Sequence, residues 1–248
     1  MQRKVDKRLR IHNQLRDALR NHELSLHYQP QHMVATGELI GAEALIRWQH
    51  PECGLIPPAE FLPYIQGSDL EQAVGEWVMQ QAMTQLGKWH AAGLTLGVSV
   101  NISANHLLQP DFHDFLQALL AQHHGVPSSC LELEVLESAA IGDVEQAITI
   151  MQRCRELGVD FSLDDFGTGY SSLIYLRKLP IDILKIDKSF VLKLAENRGD
   201  LILVRSAIEL GHNLGLKVTA EGVEDDPGAP CVVAAVCPAE RLGYRMLD

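Results

Sequence analysis

The 248-residue chain contains no apolar run approaching the ~20 residues that a bilayer-spanning helix needs. Nor does it open with the charged and apolar pair of a secretory signal. Its 21 Lys and Arg are outnumbered by 32 Asp and Glu, a net charge of -11. That balance argues against a nucleic-acid polymer or an anionic membrane as partner, because phosphate contacts need clustered cations. The five cysteines are odd in number and lack CxxC spacing, which suggests neither a disulfide framework nor a cysteine zinc site and fits a reducing cytoplasm. Among eleven histidines there is no HExxH pair, and His123-His124, at a helix end, reads as solvated surface. No glycine-rich dinucleotide fingerprint follows the first strand.

What is present is 46% hydrophobic residues arranged in alternation. Residues 1–23 carry Leu9, Leu15 and Leu19 among basic residues and read as an N-terminal amphipathic helix or linker; 24–248 read as one globular domain. Leu24–Val34 and Leu39–Trp48 are strand-like and joined by a turn at Ala35-Thr36-Gly37-Glu38, so the domain opens antiparallel. Helical periodicity follows over 59–66 and 69–90. Strands at 94–101, 130–137, 159–165, 183–187 and 217–224 then alternate with helices at 111–123, 144–157, 171–177 and 200–214. Such units imply a parallel sheet covered by helices, and about seven strands over this length point to a barrel.

Polar residues recur where strands end. Glu43, Asn101, Glu134, Glu137, Asp164, Asp165, Lys185, Asp187, Glu221 and Glu224 all fall at such positions. In a parallel barrel these ends converge on one rim. A single strand-end acid is usually a cap, but six strands in one register exceed what capping requires. Carboxylates gathered that closely repel unless a cation neutralises them, and an all-oxygen set selects magnesium, manganese or calcium over zinc. Asp164 and Asp165 are adjacent, and successive strand residues face opposite ways. Both can serve one site only if the backbone bends there; the alternative is an Asp pair capping a turn. Two close divalent ions suit in-line attack of water on a phosphodiester. Lys185, among acids, is an ammonium that orients water or an ion-pair partner, and the planar fork of Arg47 suits a phosphate.

The stretches Tyr28-Gln29-Pro30-Gln31, Gly41 to Trp48, Glu134 to Ser138, Asp164 to Leu173, Leu184 to Asp187 and Ala220 to Glu224 together resemble the EAL-domain phosphodiesterases of bacterial cyclic di-GMP signalling, over about residues 15–224. The resemblance implies a modified (β/α)8 barrel with one antiparallel strand that hydrolyses cyclic di-GMP to linear pGpG. It implies Glu43, Asn101, Glu134, Asp164, Asp165 and Glu221 as ligands of two Mg2+ or Mn2+ ions, with Ca2+ inhibitory. Lys185 resembles the lysine that holds the attacking water, and Leu45 and Arg47 resemble contacts to guanine and phosphate. Glu137 is similar to the glutamate anchoring the loop after Asp165, with Asp187 and Glu224 as further outer partners. The resemblance also implies a homodimer and an upstream sensor or diguanylate cyclase-like domain in a longer chain.

Two departures stand out. Leu136 occupies a position where the family usually has Thr. After Glu224 the likeness ends: Pro227, Pro230 and Pro238 break the expected helix, and Leu242 precedes Gly243-Tyr244 in place of Gln. This reads as a truncated or frameshifted terminus, with the last strand-helix unit replaced by irregular chain and the barrel incomplete or closed by a partner. The competing functional readings are a receptor that binds cyclic di-GMP without cleaving it and a magnesium-dependent enolase-type lyase.

Overall fold

The computed structural model describes residues 2–137, 144–168, 173–192, 194, 197–223 and 244–247, without the side chains of 2–6 and 244–247. Helix α1 (Gln2–Arg20) leads into β1 (Leu24–Met33), β2 (Leu39–His50) and β3 (Gly54–Ile56). A 3-10 turn at Pro58–Glu60 and α2 (Leu62–Ile65) precede α3 (Asp69–Ala91) and β4 (Gly97–Ile102). Then come α4 (Ala104–Leu107), α5 (Phe112–Gln122), β5 (Leu131–Leu136), α6 (Val144–Glu156) and β6 (Asp160–Phe166). The remainder is α7 (Leu173–Leu176), β7 (Ile183–Ile186), α8 (Lys188–Val191), α9 (Arg198–Asn213), β8 (Lys217–Ala220) and β9 (Tyr244–Leu247).

The strands pair in the order β1-β9-β8-β7-β6-β5-β4-β2-β3, and β1 also pairs with β2. All but β3 therefore form a closed ring. β1 runs antiparallel to both neighbours and every other pairing in the ring is parallel. Closure leaves the ring without an unpaired edge. Here the sequence reading of the tail is corrected in one respect. The chain supplies its own last strand, since Tyr244–Leu247 pairs with β8 on one side and β1 on the other. The tripeptide Tyr-Arg-Met carries two β-favouring or long side chains and no proline, which permits a ladder. Glu224, Pro227, Pro230, Pro238 and Leu242 lie outside the described residues.

Helices pack their apolar stripes on the sheet. In α1 the buried positions are Ile11, Leu15 and Ala18, at i, i+4 and i+7, with Leu19 packed against the same core and Leu9 62% exposed. Trp48 ties β2 to the segment before α2: its ring meets Phe61 edge-on at 5.7 Å, and its indole N–H donates to Glu23 Oε2 at 3.1 Å. That contact fixes one wall of the cleft described next.

Candidate active site

The rim forms where β4, β5, β6, β7 and β8 end beside the middle of β2, because the ring sets these segments side by side; Glu43 thus lies within β2 and not at its end, where the sequence pattern alone placed it. Lys185, on β7, is 1% exposed and stands at the centre. Its Nζ lies 2.8 Å from Glu221 Oε1, 2.9 Å from Glu134 Oε2, 3.3 Å from Asp164 Oδ1 and 3.7 Å from Glu43 Oε2. Asn101 Nδ2 donates to Glu43 Oε1 at 2.7 Å, which leaves the amide oxygen of Asn101 as an acceptor without hydrogens of its own. One ammonium faces four carboxylates.

The electrostatics follow from burial. Desolvation alone would pull the lysine down, but Glu134, Glu43, Asp164 and Glu221 together hold it well above the ordinary lysine value. Glu134 is raised well above the usual carboxyl range, first by burial and then by its acidic neighbours Glu43, Glu132 and Asp164, against the pull of Lys185. Burial, with Asp164 and Glu43 adding to it, lifts Glu221 to about 7 even though Lys185 opposes the shift. Asp165 is raised by burial, by Asp164 and by Asp187. Each of these shifts favours the protonated acid, and a bound cation would oppose it.

Asp164 and Asp165 reach one site because the strand bends between them. The β6–β7 register shifts between Leu163 and Phe166, and Asp165 adopts the left-handed conformation, φ +56°. A bulge of this kind re-aims side chains next to a site. Oxygens of Asp164, Asp165 and Glu221 all come within 4.8 Å of one another. The loop beyond is held by Glu137, whose Oε2 accepts from Gly167 N at 3.0 Å and whose own N–H donates to Asp164 O at 3.1 Å. Asp187 caps α8, accepting from Ser189 N at 3.0 Å.

This donor set fits hard divalent ions. It is all oxygen, it carries more negative charge than Lys185 neutralises, and buried Glu134 Oε1 has no hydrogen-bond partner among the described residues. Glu43, Asn101, Glu134, Asp164 and Glu221 come together around Lys185, with Asp165 joining Asp164 and Glu221.

Beside Glu43 and Asn101 runs a cleft of about 510 Å³. Leu45 lines it, along with Leu62, Ile65 and Leu136, the last 39% exposed. Arg47 does not: its Nη1 donates to the Ile46 carbonyl at 2.9 Å, and it is not part of the cleft wall. The sequence reading had no signal for that wall, because 62–78 reads as ordinary amphipathic helix until the tertiary fold turns one face toward the rim. His106 was missed for the same reason. It lies four to five residues past the strand end, 2% exposed, with its ring edge-on to Phe112 at 5.1 Å.

Burial, partly offset by Glu71 and Asp111, lowers His106 to about 4. Above pH 6.5 both folded and unfolded chains hold this ring neutral, so its contribution is fully present there. As pH falls toward 4 the unfolded chain takes up the proton first, and about 3 kcal/mol of stability is lost over that window. Urea denaturation of the parent and of His106→Phe from pH 7 to 4 checks this: the variant has the shallower acid slope, and parallel slopes would refute it.

Comparisons with known proteins agree with this geometry. The EAL domain family matches residues 12–238. Over 227 residues, 91% of this chain and 33% of the relative, the chain is 40% identical to the Pseudomonas aeruginosa protein named bifunctional diguanylate cyclase/cyclic di-GMP phosphodiesterase MucR. It is 42% identical over 217 residues, 87% of this chain and 28% of the relative, to the P. aeruginosa cyclic di-GMP phosphodiesterase NbdA. It therefore spans about a third of the length of these curated relatives. Among solved structures, the PaMucR phosphodiesterase in complex with c-di-GMP superposes with a TM-score of 0.89 at 38% identity, covering 96% of this chain and 94% of that one. The EAL domain of Mycobacterium smegmatis DcpA gives 0.73 at 32% identity, covering 90% and 87%.

Proposed function

The chain belongs to the EAL domain family, and from that premise we propose that it is a metal-dependent phosphodiesterase that opens cyclic di-GMP to linear pGpG. The observation that carries this reading is the convergence of Glu43, Asn101, Glu134, Asp164 and Glu221 on Lys185 at the rim, against a cleft large enough for a nucleotide base.

Glu43, Asn101, Glu134, Asp164, Asp165 and Glu221 would hold two Mg2+ or Mn2+ ions, which supply charge neutralisation and a water acidic enough to be deprotonated near neutral pH. Ca2+, with longer and looser coordination, inhibits. Lys185 stays an ammonium, so it donates to the oxygen of the attacking water and does not take its proton. Water oxygen adds to phosphorus as one ester P–O bond breaks; one of the water's protons passes to the freed oxygen, making the new hydroxyl, and the other leaves with the product phosphate. Leu45 and the apolar cleft hold a guanine face. Arg47 reaches a phosphate oxygen once it releases the Ile46 carbonyl. Glu137 and Asp187 act behind these groups by fixing the loops.

The partners follow from the same reading. Leu173, Ile174 and Tyr175 on α7 and Ile202 and Leu203 on α9 are large exposed apolar side chains. They support a second copy of the chain as occupant of that face, which sedimentation tests directly: a monomer would refute it. The short share of each relative that is matched supports an upstream sensor or cyclase-like domain. No helix among the described residues is long and apolar enough to cross a membrane, and we place the domain in the cytoplasm. The functional test is hydrolysis of cyclic di-GMP by the purified chain in Mg2+. Release of pGpG, lost in Glu43→Ala, supports the reading; tight binding without turnover would select the receptor instead.

A further inference from the structure

The single-turn helix α8 touches both loops that leave the Asp164-Asp165-Glu221 cluster. Two glycines with left-handed backbone flank that cluster: Gly167, φ +99°, two residues after Asp165, and Gly222, φ +71°, one residue after Glu221. Each is seated on α8. A Cβ placed on Gly167 would meet Phe190 Cε2 at 3.0 Å, and one placed on Gly222 would meet Lys188 Cβ at 2.7 Å. The same helix is tied to the cluster from its first residue, because the Asp187 cap also shares a hydrogen bond with Asp165. Glu221 N–H, in turn, donates to the Ile186 carbonyl at 3.1 Å, just before α8 begins.

The Asp165 loop is thus gripped from two sides. Glu137 holds Gly167 by its N–H at 3.0 Å. The Phe190 ring closes the opposite side by contact alone. Beside the contact runs an apolar groove of about 430 Å³, lined by both Gly167 and Phe190 together with Ile186, Leu203 and Val204. The ring fills the part of that space against which Gly167 rests. A glycine is needed at 167 for the approach and the backbone sign, so the loop has little stiffness of its own there.

We propose that Phe190 is a positioning residue: its ring is the stop that keeps the Asp165 loop, and with it the spacing of the Asp164-Asp165-Glu221 oxygens, at the distance a divalent ion requires. This inference rests on the metal-dependent reading above. Support from outside the ligand shell commonly changes metal affinity by one to two orders of magnitude.

The test measures Mn2+ binding to the whole chain by calorimetry, with hydrolysis followed alongside. Phe190→Ala is expected to weaken Mn2+ about tenfold, whereas Phe190→Met, which refills the volume, stays within about threefold of the parent. Met151→Ala, a buried change in α6 far from the rim, serves as the control for lost stability and leaves the affinity at the parent value. Should Phe190→Ala not fold, Phe190→Val, which also leaves most of the ring's volume empty, carries the same comparison. Parent-like affinity in the Ala or Val variant would overturn the proposal, as would an equal loss in Met151→Ala. A parent chain that binds no Mn2+ would overturn the functional reading and this one with it.

Discussion

Lys185→Met is expected to lower turnover of cyclic di-GMP by about 10²–10³-fold, the usual cost of removing one preorganised donor from charge that develops in a transition state. The same change destabilises the metal-free protein. Four carboxylates lose the one ammonium within 3.7 Å. Leaving buried charge uncompensated typically costs about 3–5 kcal/mol. The sign of the pH dependence is fixed by the acids, since protonation relieves their repulsion and burial pushes Glu221 up to about 7 even with Lys185 opposing it. Without the ammonium that shift is larger, so destabilisation is largest at high pH and shrinks as pH falls toward 7. Urea titrations at pH 6 and pH 8.5, with and without Mn2+, check this; a variant as stable as the parent at pH 8.5 without metal would contradict it.

Glu134→Gln should cost as much activity and almost no stability. Glu134 is 1% exposed, and burial holds its carboxyl well above the ordinary range, so the metal-free protein bears the expense of an acid it uses only when a cation is present. An amide of the same shape removes that expense. The melting temperature of the metal-free variant should equal or exceed the parent's, while the metal-induced rise disappears because the amide is a weak ligand. Turnover should fall at least as far as in Lys185→Met, because the metal site that supplies the Lewis acid and the attacking water loses a charged ligand. The two substitutions thus separate. Both silence the reaction, yet one unfolds the metal-free chain more easily and the other does not. A melting temperature well below the parent's for Glu134→Gln would show that Glu134 is mainly a structural ion-pair partner of Lys185.

The rim was legible because strand ends in a parallel barrel are determined by the period of the pattern and by little else. Glu43, Asn101, Glu134, Asp164, Lys185 and Glu221 each close or interrupt a short apolar run, and the fold gathers them around one ammonium. The bend between Asp164 and Asp165 was also legible, since two neighbours on one strand can share a site only through such a break. Three features were not. The α1 stripe runs through Ile11, Leu15 and Ala18 with Leu19 beside it, because a helix buries the face its neighbours leave open, and of its three leucines Leu9 falls outside that face. Arg47 has the chemistry for a phosphate, but its guanidinium is held by its own strand's carbonyl. β9 closes the ring although prolines dominate the stretch before it, because four residues suffice for a ladder between two waiting edges.

The role of Phe190 was invisible for a different reason. In the sequence it is one more apolar residue after a strand, and only the left-handed turn at Gly167 gives it a loop to hold. Positioning of this sort depends on where two distant segments meet. No local pattern encodes it.

The central claim is that the oxygens at this rim form a cage for paired divalent ions. Crystals of the chain grown with Mn2+ and measured for anomalous scattering test it most directly. Two peaks about 3.5–4 Å apart, bounded by Glu43, Asn101, Glu134, Asp164, Asp165 and Glu221, are the predicted result. An empty rim with Lys185 still paired to its four carboxylates would contradict it.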